Sequence, residues 1–318
     1  MQKLQIRPEF RSDIHDGLSK LFEVSSYLRF PFTLEEAANY FLPKSKITTD
    51  QLRSLLGSDE FTDLGFTVRG NYLLTGAEEV IAARTRREKI SCEKLESAAS
   101  FATVLSKLVP FVQTVAVTGS VAYGSAGKWD DVDLFILTER KRLWLSAFLM
   151  LIQIRLYKIL RLRPAHLLPF CLSYIHDEEG FSAESRRNRT NPLFARELLK
   201  AKPIAGTKRY RRILEENRWV SEFYSASYSE TLKKFGNAPD GISGSTGTSG
   251  GLKSFMLDWV EAAAYAVLSR YLRLRAYLNN LKLKSEGNTI RTFEPVISAT
   301  SCVYTSNFYR WLTDLWGQ

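Results

Sequence analysis

Cysteine, histidine and methionine are scarce in this 318-residue chain, with three of each. Cys92, Cys171 and Cys302 stand far apart, form no Cys-x-x-Cys pair and leave one thiol over whatever bonds form. That excludes a disulfide framework and favours a reducing compartment. His15, His166 and His176 are too few and too scattered for a His-Glu-x-x-His or Cys/His zinc site. The opening MQKLQIRPEFRSD has no apolar core, so no signal peptide is expected. Long apolar runs are also rare. Leu143 to Leu160 approaches the length of a spanning helix, but Gln153, Arg155 and Lys158 interrupt it. A buried helix of a cytoplasmic protein is the expectation, with no membrane partner.

What is present is an ordinary globular composition, 45% hydrophobic and 25% charged, long enough for two or three domains. The net charge of +10 is unevenly placed. Residues 1–90 carry 13 basic and 13 acidic side chains, residues 91–190 carry 13 and 10, and residues 191–318 carry 18 and 11. A basic C-terminal third suits a polyanion such as RNA, DNA or a nucleotide. Solubility alone is the simpler alternative.

Three regions are expected. Residues 1–90 show helix–helix–helix–hairpin order: Leu18 to Phe30 is apolar at helical spacing, Thr33 and Glu36 form a capping box, and Asp50 is a candidate N-cap for 48–56. Gly70-Asn71 between two β-prone runs marks a hairpin. This is a winged-helix-like order. It serves either a nucleic-acid or protein docking module or a packing domain, since the segment is neutral. Residues 91–190 begin within a long helix (77–109) that ends before Pro110, then alternate strand and helix: strands at 111–117, 132–138 and 167–175, with a helix at 141–163. Residues 191–318 read as a helical C-terminal region, broken by a Gly/Ser-rich flexible loop at 236–251. The fold class is therefore α/β (α+β): a core with a small mixed sheet, a winged-helix-like domain before it and helices after it.

The segment TGSVAYGSAGKWDDVDLFILT, 118–138, carries the chemistry. An apolar strand ends at Val117, and Gly119-Ser120 follow at a helix start, where a glycine allows close approach and free N–H groups favour phosphate. A second strand opens with Asp131-Val132-Asp133. Alternation puts the two carboxylates on one face, about 6–7 Å apart along the strand. Paired hard oxygen ligands suit Mg²⁺ together with substrate phosphates. Lys128 and Gly124 lie in the connector between them.

This pattern, Gly119, Ser120, Ala122, Gly124, Asp131 and Asp133, resembles the DNA polymerase β-like nucleotidyltransferase superfamily and its minimal nucleotidyltransferase branch. The resemblance implies that Gly119 and Ser120 bind the β- and γ-phosphates of a nucleoside triphosphate. It also implies that Asp131 and Asp133 hold two Mg²⁺ ions, with Mn²⁺ a substitute, and that a nucleoside monophosphate passes to an acceptor hydroxyl with release of pyrophosphate. Gly124 and Lys128 join the nucleotide-binding set. The family's third carboxylate is missing from FCLSYI; Ser173 stands near its place, and Asp177 reaches it only if the strand runs two residues longer. The expected acceptor is an RNA (tRNA-like) end, with DNA, a protein or a small molecule as alternatives. Arg270, Arg273, Arg275, Lys282 and Lys284, and Lys208, Arg209, Arg211, Arg212 and Arg218, interleave with aromatics and are either that acceptor's surface or solvated bundle faces. A non-catalytic, nucleotide-sensing binder of nucleic acid is the competing class.

Overall fold

A computed structural model describes residues 8–44, 47–160, 170–236, 251–287 and 292–316. Most of the Gly/Ser-rich loop expected at 236–251 lies outside the described residues, as do 167–169 of the third strand, His166 and the Ser173 side chain.

The N-terminal region opens with helix α1 (Pro8–Leu28) and the short strand β1 (Phe32–Thr33). Helix α2 (Leu34–Glu36) follows and widens into a π-turn at Ala37–Phe41. Thr33 and Glu36 do form a capping box. Helix α3 (Thr49–Leu56) is capped by Thr48, not by Asp50: the Thr48 hydroxyl accepts from Gln51 N–H while the Gln51 side chain accepts from Thr48 N–H. Asp50 sits within the first turn, where its charge still favours the helix N-terminus. After a 3-10 turn at Asp59–Leu64, strands β2 (Thr67–Arg69) and β3 (Tyr72–Leu74) close on Gly70-Asn71, in a three-stranded antiparallel sheet ordered β1-β3-β2.

Helix α4 (Glu79–Leu108) runs from this region into the core. Strand β4 (Val112–Thr118), helix α5 (Gly119–Ala122), strand β5 (Val132–Thr138), helix α6 (Leu143–Ile159) and strand β6 (Phe170–Asp177) follow. Helices α7 (Glu178–Arg187) and α8 (Pro192–Lys200), strand β7 (Lys202–Ala205), and helices α9 (Thr207–Glu216), α10 (Val220–Phe223), α11 (Ser225–Gly236) and α12 (Gly251–Ser285) come next. Strands β8 (Phe293–Ile297) and β9 (Ser301–Ser306) and helix α13 (Asn307–Trp316) complete the chain.

The main sheet has six strands in the order β7-β4-β5-β6-β9-β8. Among the described residues only its β5–β6 pair is parallel. The C-terminal region is thus not helical alone. It contributes three of these strands, and α13 returns Leu312 and Trp316 to the N-terminal core beside Phe41 and Leu42. A boundary at 190 therefore cuts through the sheet.

Alternation along the strands divides the core. Val115, Val117, Val132, Leu134 and Ile136 face α4, α6 and α12. Ala116, Phe135 and Leu137 face α8, α9 and α11. Asp133 shares the parity of Phe135 and Leu137, and so belongs to the α8 side.

Candidate nucleotide site

The site forms where β4 ends and β5 begins. The strands pair Thr118 with Asp133, which brings the turn after β4 against the first acidic residue of β5. Gly119 takes φ +63, and a Cβ there would meet the Asp133 Oδ2 well inside van der Waals distance. Both facts require glycine: L residues avoid that φ, and the carboxylate leaves no room for a side chain. Asp133 is partly exposed and Asp131 exposed, while Val132 between them is buried.

The connector is held rigidly. Tyr123 N–H donates to the Gly119 carbonyl, Ser125 N–H to the Ser120 carbonyl, and Gly127 N–H to the Asp130 carboxylate at 2.7 Å. Helix α4 fastens it from below. Ser91 Oγ accepts from Ala126 N–H at 3.1 Å, and Lys94 Nζ donates to the Asp130 carbonyl. Lys94 is wholly buried. Burial holds its ammonium below the ordinary lysine range, with the carboxylates of Asp130 and Asp131 pulling the other way.

A cavity of about 1200 Å³ joins Gly119, Ser120, Asp131 and Asp133 in one lining with Arg196 and Arg275. Gly124 and Lys128 stand outside that lining. Gly124 takes φ +75 in the turn that closes α5 and packs near Glu88, and Lys128 is exposed with its Nζ 5.2 Å from the Trp129 ring centre.

Sequence reading missed the α8 wall. Arg196 is buried under the rings of Phe41, at 4.3 Å, and Trp316, at 5.0 Å, and its Nε and Nη1 have no hydrogen-bond partner. One turn on, Lys200 Nζ lies 4.5 Å from the Tyr40 ring centre and 5.1 Å from that of Tyr123. Glu197 accepts from the Tyr123 hydroxyl at 2.7 Å, and burial raises its carboxyl above the usual range against the opposing pull of Arg196. The signal was faint. Arg196 sits in an otherwise apolar stripe, Leu193, Phe194, Ala195, Leu198 and Leu199, where a charge calls for a reason.

Asp177 is not a third ligand. Strand β6 does run to Asp177, but β5 and β6 are parallel, with Asp133 opposite Cys171 and Thr138 opposite Asp177. Five residues of strand therefore separate Asp177 from the Asp133 level, about 16 Å. Asp177 is spent as the N-cap of α7, where Oδ1 accepts from Gly180 N–H at 2.8 Å and Oδ2 from Lys141 N–H at 3.1 Å. Cys171 occupies the neighbouring position, and burial, followed by the charges of Asp133 and Asp131, pushes its thiol up and keeps it protonated. Among the described residues no group of three or more His, Cys, Asp or Glu is arranged to hold a metal ion. The donor chemistry that exists, two carboxylates beside a glycine cradle, fits divalent cations shared with substrate phosphates.

The C-terminal basic series divides. On α9, Tyr210 is buried, and Trp219 is buried just beyond that helix. Arg209 pairs with Glu178 and Glu216, and Arg211 with Glu215. On α12, Tyr271 and Arg275 reach the cavity. Among the described residues no helix is long and apolar enough to cross a membrane.

Comparison with curated proteins and with solved structures returned no match. Residues 99–204, from the last turns of α4 into β7, match the family model of a nucleotidyltransferase domain. The chain thus carries at its centre a nucleotidyltransferase domain of the DNA polymerase β-like superfamily, whose chemistry is nucleotidyl transfer from a nucleoside triphosphate with divalent metal ions.

Proposed function

We propose that the protein is a Mg²⁺-dependent nucleotidyltransferase that moves a nucleoside monophosphate from a nucleoside triphosphate to the end of an RNA. The observation that carries the reading is the contact of Gly119 with Asp133 at the mouth of a cavity that also takes in Ser120 and Asp131. In this reading Ser120 and the turn at Gly119 bind the triphosphate tail. Asp131 and Asp133 hold Mg²⁺, or Mn²⁺ in its place, which neutralises phosphate charge and activates the acceptor hydroxyl when bound. The acceptor oxygen bonds to the α-phosphorus and pyrophosphate leaves.

The surroundings support a polyanionic substrate. Buried Arg196 and half-buried Lys200 add positive charge on the α8 side, and Arg275 beside Tyr271 offers a cation and a ring to an unpaired nucleotide. We read residues 1–90 as a winged-helix-like domain that packs rather than reads DNA. Arg53, the one basic residue of α3, donates instead to the Gly70 carbonyl and the Asn71 side chain, both at 2.8 Å.

A second reading has one observation behind it. That no third His, Cys, Asp or Glu joins Asp131 and Asp133 in a metal-holding group, among the described residues, favours a nucleotide-binding regulator that performs no transfer. Label transfer separates the two. Wild-type protein and an Asp131→Asn/Asp133→Asn variant are incubated with each α-labelled nucleoside triphosphate, Mg²⁺ or Mn²⁺, and total RNA. Label in RNA with wild type alone supports the transferase and identifies its nucleotide. Triphosphate binding without label in RNA, protein or small molecule overturns it in favour of the regulator.

A further inference from the structure

Helix α12 is apolar on two opposite faces. Leu268, Leu272 and Ala276 turn inward and are buried. The outward face is bare: Trp259 is 67% exposed, Val267 66% and Leu274 57%, with Phe255, Met256, Tyr277 and Leu281 also exposed. A helix apolar all round is normally covered all round. The outward residues follow a definite period. Val260, Val267, Leu274 and Leu281 recur every seven residues, and the positions four before each are Met256, Ala263, Arg270 and Tyr277. That 3.5-residue repeat keeps a seam facing a second helix along its length, whereas a helix lying on a lipid surface needs only a broad apolar face. Helix α6 lies beside α12 on the same face of the sheet and leaves Phe148, Ile152, Leu156 and Ile159 exposed. Both helices of this packed pair thus leave large apolar side chains uncovered.

We propose that these side chains are covered by a second copy of the chain, with α12 packed antiparallel on its counterpart. Area and charge select this occupant. A helix of 35 residues is about 52 Å long. The exposed stripe from Met256 to Leu281 takes about 39 Å of that length, so a strip about 10 Å wide, with the exposed part of α6, gives about 600 Å² per copy, or about 1,200 Å² in all, the lower end of specific stable interfaces. Parallel pairing would oppose the two Arg270 side chains and the two basic C-terminal halves, which hold Arg273, Arg275, Lys282 and Lys284. Antiparallel pairing about the middle of the stripe draws Arg273, Arg275, Lys282 and Lys284 of the two chains apart and sets each basic half against the partner's N-terminal half, whose outward face carries the uncharged Phe255, Met256, Trp259, Val260 and Val267. Arg270 is tolerated near the seam because a single polar residue there fixes orientation at a cost in stability.

The test uses the full chain. Sedimentation velocity and light scattering at micromolar concentration are expected to return twice the 36.3 kDa chain mass. A Val267→Glu/Leu274→Glu variant is expected to sediment as a monomer, with the dissociation constant raised about 100-fold or more, the effect of losing two central contacts. Its circular dichroism is expected to match that of the wild type, since both side chains are exposed in the single chain. Orientation is read by mixing Val260→Cys and Leu274→Cys chains, each with Cys92→Ser, and oxidising. Disulfide between the two kinds of chain, without 260–260 bonds, is expected, and 260–260 bonds alone overturn the antiparallel arrangement. A wild-type monomer overturns the proposal, as does a dimer that survives the glutamates. So does a monomer that co-sediments with phosphatidylcholine/phosphatidylserine vesicles and loses that binding in the glutamate variant, because the occupant is then a membrane.

Discussion

The β5–β6 pair carries an aspartate at each end, and the two ends differ in what is left for a ligand. At the Thr138 end, Asp177 is wholly buried and both its carboxylate oxygens accept backbone N–H groups, from Gly180 and Lys141. At the opposite end, Asp133 abuts a glycine turn and opens, with Asp131, on a large cavity. The same side chain is a cap in one place and a candidate ligand in the other. Backbone donors that close around a carboxylate use up its acceptor capacity; beside the glycine turn and the cavity, Asp133 stays partly exposed. Proximity of an acidic residue to the motif in sequence is therefore a poor guide to membership of the site. Strand direction decides it.

The largest effect should come from the open end. Asp133→Asn is expected to lower nucleotidyl transfer by about 10³-fold or more, the scale of losing a principal electrostatic contact to the transition state. Thermal stability should stay within about 1 kcal/mol of wild type, as at other partly exposed positions. Transfer assays paired with calorimetry check both. If the variant keeps its rate, the contrast between the two ends has no functional content.

Gly119→Ala tests the contact itself. The new methyl group would intrude on the Asp133 carboxylate and must sit at positive φ. The left-handed backbone alone costs about 1–2 kcal/mol. Displacing the carboxylate by an ångström is worth about 10²-fold in rate. Triphosphate titration should show weaker binding at the same time. Unchanged binding and rate would detach the glycine turn from the nucleotide.

The closed end should respond in stability and not in chemistry. Asp177→Ala removes the cap of α7 and leaves the buried Gly180 N–H and the part-buried Lys141 N–H without that acceptor, an expected loss of about 1–3 kcal/mol by chemical denaturation. Transfer by the folded fraction should be unaltered. A large loss of rate at full folding would return Asp177 to the site.

How much of this was legible follows from what each signal measures. The strand bounds at 132–138, the hairpin at Gly70-Asn71 and the Thr33–Glu36 capping box are set by residues within a few positions of one another, and local pattern reached them. The third strand ends at Asp177 and not at the expected Ile175, because its last residues, His176 and Asp177, are polar yet buried. The three strands that the C-terminal region adds to the sheet depend on pairings across most of the chain, and no local period announces such contacts. Lys94 carries a legible signal. Ser91, Lys94, Ala98, Phe101 and Leu105 recur at helical spacing, so a lysine stood in the buried stripe of α4. Arg196 repeats the lesson on α8. Lys94 and Arg196 announced themselves by interrupting apolar faces, while on α9 Arg209 and Arg211 pair with glutamates.

The smallest effect sharpens the same contrast through pH. His176 lies on β6 beside Asp177, with Nδ1 2.8 Å from Ser301 Oγ and Nε2 buried without a partner. Burial lowers its pKa from the ordinary 6.5 to about 3, because no acceptor waits for the second proton. The unfolded chain takes up that proton near pH 6.5 and the folded chain does not. The contribution is therefore fully present above pH 6.5 and is lost as pH falls from there toward about 3. The slope reaches at most about 1.4 kcal/mol per pH unit. His176→Asn places a neutral amide against Ser301 and should flatten that part of the pH–stability curve by up to one proton, with little change at pH 8. The Asp133 end has no part in this protonation, so the same substitution should leave the pH dependence of triphosphate binding as it was. A parallel change in both profiles would mean that the two ends of the strand pair are coupled through β6, and the division between a structural end and a ligand end would no longer hold.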